Sequence, residues 1–283
     1  MAKRYDMIVS TIIIVLFIIY FAIPFGKGFM DTFKLNTTVS EKLDGASEIS
    51  IATEDGVTLS AWYAKSSNNE VIILVHDAYD NKADMIKYAN DLISAGYGVL
   101  VFDMRAHGDS NGDGVNAYNW NSEKDLDAVI NYLKLENSNV KIGALGIGLG
   151  ADILLSYAYK DEISAMVVDG ATYRTTNDYK AIDKYNNIIH NFRVRLEFIS
   201  ASLFGGMREP ESAINSLSNV EDTKFLFITS SEEDERLYNN NYYNLVKDNS
   251  TLWEIDNCKH LEGYDLNSKE YMEKVLSFFS DNL

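Results

Sequence analysis

Cysteine is nearly absent: Cys258 is the only one in the chain. An intramolecular disulfide is therefore impossible, and so is a zinc site built from cysteine pairs. No P-loop and no metal-ligand cluster is present, so neither a metal nor another cofactor is expected. The glycines between Gly143 and Gly150 mimic a dinucleotide fingerprint, but no acidic residue closes a following strand at the required spacing. Positive charge is in deficit, with 25 Lys and Arg against 42 Asp and Glu, a formal net charge of −17. Nucleic acid and anionic lipid surfaces would be repelled rather than neutralised, so no nucleic-acid partner is expected. The same excess serves solubility and identifies no substrate; a small-molecule or peptide ligand stays open. With 46% hydrophobic and 24% charged residues, the composition is that of a globular protein rather than a disordered one.

One stretch lacks charge altogether. Met7 to Phe25 reads MIVSTIIIVLFIIYFAIPF, long enough to cross the roughly 30 Å hydrocarbon core of a bilayer. A secretory signal has a shorter apolar core and a small-residue cleavage site. The segment therefore reads as an uncleaved anchor, with a cleaved signal as the alternative. A buried core helix fits poorly, because every face is apolar. Lys3 and Arg4 precede the span and leave residues 1–6 in the cytoplasm under the positive-inside rule; Lys27 and Lys34 on the far side oppose that orientation. The expectation is a single-pass protein of the cell membrane: a span over 7–25, a polar linker over 26–47, and a domain over 48–283 outside the cytoplasm.

Beyond the linker, strand-like and helix-like segments alternate. Glu48–Ala52 and Val57–Ala64 have β composition around the turn Glu54-Asp55-Gly56. Val71–Val75, Gly98–Phe102, Lys141–Ile147, Ala165–Asp169, Lys224–Thr229 and Thr251–Ile255 read as further strands. The continuous apolar runs among them mark strands covered on both faces. Helices are expected over Ala83–Ala95, Ser122–Leu133, Ala151–Tyr159 and Ser268–Phe279. Alternation of this kind predicts an α/β fold with a mostly parallel central sheet and helices on both faces. Residues from about 171 to 219 break the rhythm. Within them, Asn186–Phe204 carries Phe192, Leu196, Ile199 and Leu203 at helical spacing, suggesting a small helical cap or an ordinary crossover helix.

Three segments together resemble the α/β-hydrolase superfamily, in particular its membrane-anchored bacterial esterase, thioesterase and aminopeptidase-like members. They are Val71–Asp84 (VIILVHDAYDNKAD), Gly96–Gly112 (GYGVLVFDMRAHGDSNG) and Lys141–Ala151 (KIGALGIGLGA). Each is weak alone; in this order they are specific. The resemblance implies a nucleophile elbow G-x-S-x-G, which here reads Gly146-Ile147-Gly148-Leu149-Gly150. Gly148 has no side chain to attack a carbonyl, so the nucleophile position is vacant. Ser156 lies too far along the following helix to replace it.

The resemblance assigns Asp234 as the acid, with Glu232, Glu233 and Glu235 as adjacent alternatives, and His260 as the histidine. It assigns the oxyanion amides to Ala78 and Leu149. The family's glycine before Ala78 is Asp77 here, whose carboxylate would oppose a developing oxyanion unless it points elsewhere. His76, His107, Asp103 and Arg105 read as structural, and His190 as a polar residue of the cap. Three functions follow: a hydrolase-fold protein inactive or weakly active as a serine hydrolase; an ester, thioester or peptide hydrolase or other enzyme using Asp234–His260 to activate water; or a non-catalytic binding module.

Overall fold

The computed structural model describes residues 2–30, 32, 38–112, 118–182, 184 and 187–283, with side chains described from Arg4 onward. The side chain of Lys3, all of Lys34 and the first residue of the 186–204 stretch lie outside the described residues. Helix α1 (Ala2–Met30) continues through Pro24 past the expected end at Phe25, so the segment read as a linker begins as helix. Its stretch from Arg4 to Met30 is long and apolar enough to cross a membrane, with a mean hydropathy of 2.8 over an 18-residue window.

The domain follows as β1 (Ser47–Ala52), β2 (Thr58–Ala64), β3 (Glu70–Val75), α2 (Ile86–Ser94), β4 (Gly98–Phe102), α3 (Ser122–Glu136), β5 (Lys141–Ile147) and α4 (Leu149–Tyr157). Then come β6 (Ala165–Asp169), α5 (Thr176–Lys180), α6 (Ile188–Gly205), α7 (Ala213–Leu217), β7 (Lys224–Thr229), α8 (Glu233–Leu245), β8 (Ser250–Glu254), α9 (Gly263–Leu266) and α10 (Ser268–Asn282). The sheet order is β1-β2-β4-β3-β5-β6-β7-β8. Only the β1–β2 and β2–β4 pairings are antiparallel; β3 to β8 run parallel. This is the α/β-hydrolase fold. Strands β3, β4 and β6 are almost wholly buried, as their unbroken apolar composition requires.

Two apolar layers cover the sheet. Leu126, Val129, Ile130 and Leu133 of α3 join Ile153 and Leu154 of α4 and Tyr238 and Tyr242 of α8 on one face. On the other, Tyr88 and Leu92 of α2 meet Tyr271, Val275 and Phe279 of α10. The parallel order brings the C-terminal ends of β3, β5, β6 and β7 to one edge, where loops meet at the switch point of the topology.

A buried ion pair fixes the loops that reach this edge. The Lys82 ammonium is fully buried, 2.5 Å from Asp103 and 2.8 Å from Asp109, and lies over the Trp62 ring. Asp103 also accepts from the Lys82 and Asp109 backbone N–H groups. One carboxylate thereby ties the loop after β3 to the loop after β4. Arg105 does similar work, binding Asp125 at 2.7 Å and Asp55 at 2.9 Å. The Arg105 guanidinium holds the Asp55 carboxyl well below the usual range. Removing one partner of a buried pair leaves the other charge uncompensated, at a cost of about 3–5 kcal/mol. Lys82→Ala should therefore lower the stability of the full chain in detergent micelles by about that amount. Lys65→Ala, which breaks the exposed pair with Glu136, should leave denaturant unfolding nearly unchanged.

Candidate functional site

The turn from β5 into α4 keeps the tight geometry of an elbow. Gly148 sits at φ 52°, ψ −118° between strand and helix, and its N–H donates to the Asp169 carbonyl at 2.9 Å. Its flanking glycines are required by close backbone approach. A Cβ on Gly146 would lie 2.6 Å from the Gly150 carbonyl, and one on Gly150 would lie 2.2 Å from the Val75 carbonyl oxygen. The turn has the shape of an elbow, with no side chain at its centre.

The space above Gly148 is filled. A Cβ built there would fall 2.1 Å from Asp77 Oδ1 and 2.4 Å from its Cγ. The Leu149 N–H donates to Asp77 Oδ1 at 2.7 Å, and the Ala78 N–H also favours the charged carboxylate. Thus one of the two amides expected to stabilise an oxyanion, that of Leu149, is directed at a carboxylate belonging to the chain itself. Asp77 does not point elsewhere. Burial pushes its carboxyl above the ordinary value, while the Leu149 and Ala78 amides and the charge of His260 pull the other way.

The loop carrying Asp77 is held by His76. That imidazole is fully buried, and burial pushes its pKa down to about 3. Its Nε2 accepts from the Met104 N–H at 3.1 Å, so Nδ1 carries the proton and donates to the Asp77 carbonyl at 2.7 Å. His107 packs edge-on against His76 at 5.1 Å. These two histidines bind the β3 and β4 loops together.

His260, in the loop after β8, meets a carboxylate through Nδ1, and that carboxylate is Glu235. The Nδ1–Oε2 distance is 2.6 Å. The expectation of Asp234 is corrected by one residue. Successive helix residues turn by about 100°, so in the first turn of α8 Glu235 faces inward. Asp234 faces out, where it pairs with Lys184 at 3.2 Å alongside Glu233 at 3.1 Å. Glu235 Oε1 also accepts from the Ser230 N–H at 2.5 Å and the Thr229 hydroxyl at 3.2 Å. Burial would raise the Glu235 carboxyl, but the His260 and Ser230 bonds leave it below its usual value. The Glu235 hydrogen bond raises His260, against burial, with Asp77 and Asp169 adding to the rise.

Asp169, at the C-terminal end of β6, is a third carboxyl at this edge that the sequence analysis did not single out. It is buried, accepts from the Tyr271 hydroxyl at 2.8 Å, and is pushed up to about 7 by burial. The strand end Val168-Asp169-Gly170 was the available signal. Gly170 has φ 72°, and a Cβ there would stand 3.0 Å from His260 Cε1, so the histidine rests on bare backbone. Ser156 is buried on α4 and donates to the Asp152 carbonyl, and His190 is exposed on α6; neither joins the site. Among the described residues no group of three His, Cys, Asp or Glu side chains could hold a metal ion. Chemically, the arrangement offers an imidazole whose pKa is raised by the carboxylates around it, with no side chain at the elbow.

Comparison with known proteins agrees with the fold. Residues 66–254 match the family Serine aminopeptidase, S33. The chain is 27% identical over 233 residues to the uncharacterized protein YqkD of Bacillus subtilis (strain 168), covering 75% of this chain and 71% of that one. Among solved structures, an esterase of Pyrococcus furiosus superposes with a TM-score of 0.68 at 21% identity, over 88% of this chain and 99% of the other. A membrane phospholipase A described as a bacterial virulence factor superposes with a TM-score of 0.58 at 13% identity, over 99% of each chain. The matched stretch takes in the sheet from β3 to β8 with the elbow and Glu235, and on that extent the chain belongs to the serine aminopeptidase S33 family of α/β hydrolases.

Proposed function

We propose that this protein is a membrane-anchored α/β-hydrolase-family protein that does not perform serine acyl transfer, its site having been converted from a reaction centre into a closed, charged pocket floor. One observation carries the reading: the Asp77 carboxylate occupies the volume above Gly148 and takes the Leu149 amide. Acyl transfer needs that donor for the oxyanion of the tetrahedral intermediate. Asp77 fills the oxyanion's place, and Gly148 makes room for it. The two departures from the family pattern are halves of one change. A binding role fits what remains, for a small-molecule or peptide ligand that the site does not turn over. The Glu235–His260 bond favours a second reading, slow hydrolysis through a water activated by His260, and His260→Ala would abolish such activity. On this reading α1 is the anchor and the domain lies outside the cytoplasm, as Arg4 ahead of the span suggests.

Coupling between positions 77 and 148 is the direct test. Full-length protein in detergent should be inert toward p-nitrophenyl butyrate, and a serine-directed fluorophosphonate should leave it unlabelled. Gly148→Ser alone should stay nearly inert, because the new Cβ meets Asp77 and the Leu149 amide remains occupied. Asp77→Gly alone should stay inert for want of a nucleophile. The double variant should exceed Gly148→Ser by at least about 10²-fold, the effect of restoring an oxyanion donor. Turnover by the native protein equal to the double variant would refute the proposal.

The Glu235–His260 pair predicts a titration with a definite sign. A His raised in the folded state contributes stability that is fully present below its unfolded value of 6.5 and is lost as pH rises through the folded one. The depressed Glu235 contributes above its unfolded value of 4.5 and loses this as pH falls. In Glu235→Gln, the His260 transition followed by histidine ¹³C NMR should move to lower pH. An unmoved transition would show that another group controls His260.

A further inference from the structure

We propose that α6 is a membrane-embedded cap: its N-terminal half, bearing Ile188, Ile189 and Phe192, lies in the acyl-chain region of a phospholipid bilayer beside α1. The inference rests on the reading of α1 as a span and goes beyond it, because it assigns a second helix to the lipid.

The first argument is length. Charge limits the apolar run to the interval between Asp6 and Lys27. Only its first part, from Met7 to Ile19, stands clear of the domain with every residue exposed, which amounts to about 20 Å of helix at 1.5 Å per residue. The hydrocarbon core is roughly 30 Å thick. The missing third must come from Tyr20 to Gly26, and that segment is packed along α6. Phe21 meets Phe192 with ring centroids 5.3 Å apart, Arg193 lies 4.6 Å over the Tyr20 ring, and Phe25 meets Phe204 at 5.9 Å. The Ser200 hydroxyl donates to the Phe25 carbonyl at 2.6 Å. Gly28 lets the helices close, since a Cβ there would fall 2.0 Å from the Glu197 carbonyl oxygen. A helix fastened to the last third of a span enters the bilayer with it.

The second argument is that α6 is apolar on its outward face as well as on its inward one. Inward, Val194, Phe198 and Ala201 pack with Trp120, beside Ser200 and Glu197, whose carboxylate is taken up by Lys27 and the Tyr118 hydroxyl. Its outward face carries Ile188 at 88% exposure, Phe192, Ile199 at 49% and Leu203 at 67%. An apolar stripe at this spacing ordinarily faces a core, and a contiguous exposed one marks an interaction surface. Outside α1 and α6, the large exposed apolar side chains among the described residues are scattered: Tyr79, Leu135, Tyr159, Leu245 and Leu266. The most exposed residue of the stripe, Ile188, stands at the end of α6 that meets Tyr20 and Phe21, the deeper end. Arg195 interrupts the stripe, and its long stem can carry the guanidinium to the headgroups.

The test places a fluorophore at defined depths. Ile13→Cys, Ile188→Cys, Ile189→Cys and Leu135→Cys are made singly in a full-length Cys258→Ser background, labelled with bimane and reconstituted in phosphatidylcholine vesicles. Nitroxide-bearing phosphatidylcholine and aqueous iodide serve as quenchers. Labels at 13, 188 and 189 should lose fluorescence to the lipid nitroxide, and the label at 135 only to iodide. Labels at 188 and 189 behaving like 135 while 13 is lipid-quenched would overturn the inference and leave the anchor standing. A label at 13 that escapes the nitroxide would overturn both. Shielding of 188 and 189 from both quenchers would mean that a second protein copy covers the stripe, and would overturn the lipid assignment.

Discussion

The site depends on a single hydrogen-bonded anion, the Asp77 carboxylate on the Leu149 amide. Backbone N–H groups at a strand-to-helix turn attract negative charge because they are orphaned donors at the positive end of a helix. In a serine hydrolase this attraction is held in reserve for the transition state. Here a side chain satisfies it permanently. Glycine at 148 leaves room for that carboxylate where it lies, since a Cβ there would stand 2.1 Å from Asp77 Oδ1 unless the aspartate side chain shifted.

Around this anion the fold keeps the machinery that positions it. His76 holds the Asp77 carbonyl, and Lys82 and Asp103 tie the same loop to the one after β4. Glu235 orients His260 as an acid would in a working enzyme. These supports surround a turn whose central residue, Gly148, carries no side chain. Charge balance couples the pair to its surroundings: Glu235, Asp77 and Asp169 all raise the His260 imidazole, whose charged form would offset part of the cost of burying carboxyls together.

Most of the fold was legible because buried parallel strands read as unbroken apolar runs, as Val71–Val75 and Gly98–Phe102 do. The glycines of the elbow and the position of His260 were legible through the family resemblance. Failures came where a single rotation decides. Asp234 and Glu235 differ by one helical step, and sequence spacing cannot say which faces His260. The direction of Asp77 is a rotamer, set by the Leu149 amide, which reaches it only when β3 and β5 are paired. The helix over Glu233–Leu245 gave no signal because it is rich in asparagine and weakly apolar. For α6 the periodicity was plain, but a period does not say whether the apolar stripe faces inward or outward. That depended on α1, whose packing partner lies far along the chain.

The central claim concerns one hydrogen bond, and the Leu149 amide reports on it. With ¹⁵N-leucine labelling of the full chain in micelles, the account predicts a downfield Leu149 amide proton. Its shift should titrate with a carboxyl above the ordinary aspartate value and move upfield in Asp77→Ala. A Leu149 resonance that ignores both pH and the loss of Asp77 would show that the Leu149 amide is not occupied by Asp77, and would contradict the account.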